Sequence, residues 1–128
     1  MAYRLRIVTD LSPKEAETSI RAALAAEGFG VLTEIDVAAT LHEKLGVERG
    51  PYRILGACNP GLADQALRRE PDIGVLLPCN VVVYEEDDRT VVAAFDPAIM
   101  SDVTGNQRLQ DLAEDARTRL ERALSTLS

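Results

Sequence analysis

The chain has 128 residues, 46% of them hydrophobic and 27% charged. Those are the proportions of one ordinary globular domain, and they exclude disordered, collagen-like and repeat architectures. Fourteen basic against 21 acidic residues leave a net charge of −7, which opposes non-specific attachment to nucleic acid or to an anionic membrane.

Tyr3, Leu5 and Ile7 alternate with Arg4 and Arg6, the period-two pattern of a strand with one wet face. Ser12, Pro13 and Glu15 then form the start signal of a helix: an N-cap, a proline at the first helical position, and the glutamate of a capping box. Ala16, Ile20, Ala23 and Leu24 share one side of it, and Gly28 supplies the stop. A second strand is expected over 31–35, ended by Asp36. A short helix with Val37, Leu41 and Leu45 at four-residue spacing follows, closed by Gly46. A third strand covers 52–58. Asn59 can cap a third helix that begins at Pro60 and runs to about Glu70, before Pro71.

The segment 73–78 reads as an extended connection. Val81-Val82-Val83-Tyr84 is apolar on both sides and predicts a central strand covered on both faces. The polar run 85–89 turns the chain into 90–95, making a hairpin. The last helix carries Leu109, Leu112, Ala113, Ala116, Leu120, Ala123, Leu124 and Leu127 in one stripe, with acidic residues early and arginines late. A hairpin interrupting the alternation of strands and helices predicts an α+β fold, a two-layer sandwich on a mixed or mostly antiparallel sheet, as a single domain over 1–128.

Targeting and membrane signals are weak. The opening Met1–Arg6 segment is too short and too alternating for a signal peptide, and Ala2 stands where myristoylation requires glycine. The longest uncharged stretch, 73–84, has 12 residues, against about 20 for a membrane span. Two cysteines are too few for a secreted disulfide scaffold, so free thiols in a cytoplasmic protein are expected.

The chemistry-bearing candidates are few. Phosphate-loop, nucleophile-elbow and C-x-x-C motifs are all missing. Gly28-Phe29-Gly30 follows a helix and precedes a strand, the reverse of a dinucleotide loop. His42, the single histidine, reads as a surface residue, and Glu85 to Asp88 lack the spacing of a calcium loop. Cys58 ends a strand directly before the Asn59-Pro60 helix start, where the helix dipole and free N–H groups favour a thiolate. Cys79 opens the strand that follows Pro78, also ahead of an asparagine, Asn80. The two thiols can meet in space, or both can be inert buried hydrophobes; the spacing leaves both open.

The segments 28–37, Ile54-Leu55-Gly56-Ala57-Cys58-Asn59-Pro60 and Leu77-Pro78-Cys79-Asn80-Val81-Val82-Val83-Tyr84, with Phe95-Asp96-Pro97 and Gly105-Asn106, resemble the domain-of-unknown-function-302 family of bacteria and archaea over essentially the whole chain. The resemblance implies a compact α/β homodimer without an established enzymatic activity, and makes Cys58 and Cys79 the natural site candidates. Asp64 departs from a tyrosine or histidine expected there, and Gln107 from a proline. Asp64 thereby weakens any mechanism that needs an aromatic or imidazole beside Cys58.

Three functions are compatible with these features. The first is a non-enzymatic homodimer that binds a small ligand or soft metal at Cys58 and Cys79, with Asn59 and Asn80 beside them. The second is a redox enzyme or sulfur carrier using a Cys58 thiolate. The third is an interaction protein with inert thiols. Two cysteines and one histidine per chain leave a four-ligand metal site incomplete without a second subunit.

Overall fold

The computed structural model describes residues 2–128. In chain order the elements are β1 (Arg4–Thr9), α1 (Pro13–Ala26), β2 (Gly30–Asp36), α2 (Val37–Leu45), β3 (Tyr52–Cys58), α3 (Pro60–Arg69), a 3-10 segment (Pro71–Leu76), β4 (Cys79–Glu86), β5 (Arg89–Phe95), α4 (Ala98–Thr104), a 3-10 turn (Gln107–Leu109) and α5 (Gln110–Ser125). The five strands form one sheet in the order β1-β5-β4-β3-β2, and every neighbouring pair is antiparallel. The fold is α+β.

Local chemistry explains the helix starts. Ser12 Oγ accepts from the Glu15 N–H and Glu15 Oε1 accepts from the Ser12 N–H, the expected reciprocal box. Asp36 caps α2, whose far end closes on Gly46 at φ +67°. No basic residue lies in the last turn of α1. Instead Arg119 of α5 donates to the Glu27 carbonyl at 3.0 Å, and Arg122 pairs with the Glu27 carboxylate, so the negative end of α1 is met by charge from another helix.

α1 and α5 pack on one face of the sheet. Ile20 and Leu24 from α1 and Leu120 and Leu124 from α5 meet Leu55, Ala57, Val81, Val83, Val92 and Ala94 in one core. β4 therefore alternates: Val81 and Val83 are buried, Val82 and Tyr84 half-buried, and Asn80 exposed. The expectation that 81–84 is covered on both sides is corrected; the chain itself covers one face of this strand. β5 differs, with Thr90 through Ala94 all buried. Its small reverse-face residues are shielded by bulkier cross-strand partners, Ala93 between Arg6 and Val82, Val91 between Val8 and Tyr84.

Two connections also differ from expectation. Residues 73–78 are not extended: the 3-10 segment occupies 71–76 and its Ile73 is fully buried in a second core with Met100, Leu109 and Leu112. The hairpin turn is only Asp87-Asp88, both at positive φ, the conformation that matches the twist of the flanking strands. α4 had no sequence expectation. Buried Asp96, just before the N-cap Pro97, accepts from the Ala98 N–H and is held from α5 by Arg117 Nε at 3.2 Å.

Candidate functional site

Where β3 ends and β4 begins, the sheet meets α3. In the antiparallel register Ala57 lies opposite Cys79, and Cys58 follows Ala57 as the last residue of β3. Both cysteines are free, and both line one pocket with Phe29, Leu62, Ala66, Leu77, Met100 and Leu112. The pocket has a volume of about 40 Å³, room for about three water-sized atoms at about 10–15 Å³ each. Metabolite pockets run to about 300–1,000 Å³.

The two thiols have different surroundings. Cys79 is 6% exposed. Burial pushes its thiol up to about 11, and the negative charge of a neighbouring Cys58 thiolate adds to the rise. Cys58 is half-buried and sits directly before the α3 N-terminus. Asn59 Oδ1 accepts from the Leu62 N–H at 3.2 Å, so this asparagine is occupied as the helix cap. Its amide also faces Gly28, where an added Cβ would stand 3.0 Å from Nδ2; Gly28 has φ +84° and keeps the end of α1 tight against the cap.

Asn80 does not join this group. It lies on the opposite sheet face, in a wider hollow of about 260 Å³ shared with Tyr3, Arg4, Tyr52, Tyr84 and Phe95. Tyr52 and Tyr84 stack there with ring centres 5.1 Å apart. His42 is exposed on α2 with its Nε2 3.3 Å from Glu48, remote from the thiols. Among the described residues no group of three or more His, Cys, Asp and Glu is arranged to hold a metal ion, and no helix is long and apolar enough to cross a membrane.

Two contributors escaped the sequence reading. Met100, buried in α4, lines the pocket; its signal was only that it is the one methionine beyond the first residue. Gly56 lies under Thr33 and Pro78: an added Cβ would meet Thr33 Oγ1 at 2.1 Å and the Pro78 ring at 2.8 Å. A glycine here lets the chain entering Cys79 lie close on β3. The remaining motif residues are structural. Gly105 ends α4 at φ +69°. Asn106 caps the next turn and donates to the Arg69 carbonyl and Glu70 carboxylate, tying α3 to the start of α5. Asp64 is exposed and pairs with Arg68.

The profile of a family described as "Domain of unknown function DUF302" matches residues 5–127. The chain is also similar to the crystal structure of an uncharacterized conserved DUF302 protein from Bacillus stearothermophilus, with 29% identity, complete coverage of both chains and a TM-score of 0.93. No curated protein matches it.

Proposed function

The chain belongs to the DUF302 family, and from that premise we propose that it is a non-enzymatic binding protein whose site is the Cys58–Cys79 pocket. The observation that carries this reading is that a half-buried thiol and a buried one line the same small apolar pocket. A space of about 40 Å³ suits one soft ion or a ligand of very few atoms; it does not suit a metabolite.

A homodimer accompanies the reading. The sheet face opposite the helices of the core presents half-buried Tyr52, Ile54, Val82 and Tyr84, an apolar strip that a second copy would cover. A standard interface buries about 800 Å² per partner, and a twofold arrangement is the commonest closed assembly. The charge of −7 opposes approach weakly, since salt screens exposed charges beyond about 8–10 Å.

One observation favours a second reading, a thiol-based carrier: Cys58 is the less buried of the two thiols and stands directly before the N-terminus of α3. Timed alkylation of the native protein separates these readings. The binding protein labels slowly at both thiols until a chelator or competing thiol removes its ligand. Rapid labelling of Cys58 at neutral pH instead selects the carrier, and labelling of both thiols only in denaturant makes them inert core residues.

A further inference from the structure

Three of the four sulfur-bearing residues of the chain line one small pocket: Cys58, Cys79 and Met100. They come from three separate elements, the end of β3, the start of β4 and the middle of α4. The rest of the wall is hydrocarbon from Leu62, Ala66 and Leu112 among others, and neither a carboxylate nor an imidazole is in it. Asn59 is the one polar side chain at the rim, and its oxygen is taken by the α3 cap.

We infer that this pocket takes a monovalent soft cation, Cu(I) or Ag(I), held by the Cys58 and Cys79 sulfurs with the Met100 thioether as a weak third donor, and that it discriminates against Zn(II). The inference rests on the thiol-pair reading and specifies its ligand.

The chemistry of the donor set decides between the ions. Zn(II) in proteins seeks four donors, thiolate, imidazole or carboxylate, in a tetrahedron. The pocket offers two thiols, and the single histidine lies elsewhere on α2. Cu(I) has a filled d shell, is satisfied by two or three ligands, and is selected by thiolate and thioether sulfur. The apolar wall suits it further, because it offers no competing side-chain oxygen or nitrogen donors besides Asn59.

Size and charge agree with one ion. About 40 Å³ holds a bare ion and leaves no place for a hydrated one. Loading forms two Cu–S bonds while two S–H bonds break, and the two protons pass to solvent with no change in oxidation state. The bis-thiolate complex carries one net negative charge. Its place against the N-terminus of the ten-residue α3 puts that charge at the positive end of a helix dipole.

The test is a pair of anaerobic competition titrations on reduced full-length protein, Cu(I) against bicinchoninate and Zn(II) against 4-(2-pyridylazo)resorcinol. The protein is expected to withdraw one Cu(I) per chain and no Zn(II). Cys58→Ser and Cys79→Ser should each weaken Cu(I) binding at least tenfold, and Met100→Leu should weaken it less while keeping the stoichiometry. Far-ultraviolet circular dichroism checks that each variant is folded; Cys58→Ser, at the half-buried position, supplies the decision if Cys79→Ser is not. Withdrawal of Zn(II) as readily as Cu(I) would overturn the soft-ion assignment and leave the thiol-pair site standing. Withdrawal of neither metal overturns the metal assignment and leaves the thiol pair only as a site for a small non-metal ligand, and undiminished Cu(I) binding by Cys58→Ser overturns the assignment to this pocket. An unaltered affinity in Met100→Leu deletes the thioether from the donor set.

Discussion

The two hollows of the sheet differ in every property that governs recognition. The thiol pocket lies between the sheet and α3, α4 and α5, encloses about 40 Å³, and is lined by sulfur and hydrocarbon. The hollow on the reverse face is open, holds about 260 Å³, and gathers three tyrosines, Phe95, Arg4 and Asn80. The first can select an atom by its chemistry. The second presents aromatic faces and a few polar tips, the composition of surfaces that protein partners cover. The sheet thus separates the proposed ligand pocket from the proposed dimer face, and the two should respond independently to substitution.

The largest effect belongs to the helix-covered side. Leu120 is fully buried among α1, α5 and the strands, so Leu120→Ala should cost about 2–5 kcal/mol in chemical denaturation. A loss below about 0.5 kcal/mol would mean that this face is not packed as described.

Alkaline pH should act on the same side through Cys79. Its folded-state value is raised from 9.0 to about 11, so between those limits the unfolded chain loses the proton while the folded chain keeps it. Stability is therefore full below about pH 9 and falls as pH rises, by about 2–3 kcal/mol at the upper limit. Urea melts across this range should show the slope in the native protein and lack it in Cys79→Ala; equal slopes in both would assign it to other groups.

Gly56 joins the two sides. Gly56→Ala forces a methyl against Thr33 and Pro78 and should cost about 1–3 kcal/mol by thermal melting. A neutral result would show that β2 and the Pro78 segment yield freely. The smallest effect is reserved for the reverse face. Val82→Asp should weaken the dimer at least tenfold, about 1.4 kcal/mol, in sedimentation equilibrium. Unchanged association would move the interface elsewhere, and a native protein that stays monomeric at micromolar concentration would remove the dimer.

Sequence signals were strong where the determinants are local. The Ser12–Glu15 box, the Asn59-Pro60 start and the α5 stripe are short-range patterns, and each lies where it was expected. Residues 71–76 gave no such pattern: a short run with Pro71, Asp72 and Gly74 lacks either period, and it coils because Ile73 finds a core with Met100 and Leu112 that are distant in sequence. α4 escaped for the same reason, since Asp96, which accepts from its first N–H, is held by Arg117 from another helix. Cys58, Asn59 and Cys79 stood out from their motifs, but that they line one pocket depends on how α3, α4 and the ends of β3 and β4 pack together. Asn80 looked equivalent to Asn59 in sequence, yet strand alternation turns it to the other face.

The claim that the two thiols share one pocket has a direct test in the ionisation of Cys79. Its titration can be followed by the Cβ chemical shift in the native protein and in Cys58→Ser. The account predicts a midpoint of about 11 in the native protein and a lower one in Cys58→Ser, because the neighbouring thiolate charge that adds to the rise is gone. A midpoint unmoved by the substitution would place the two sulfurs too far apart to hold one ligand.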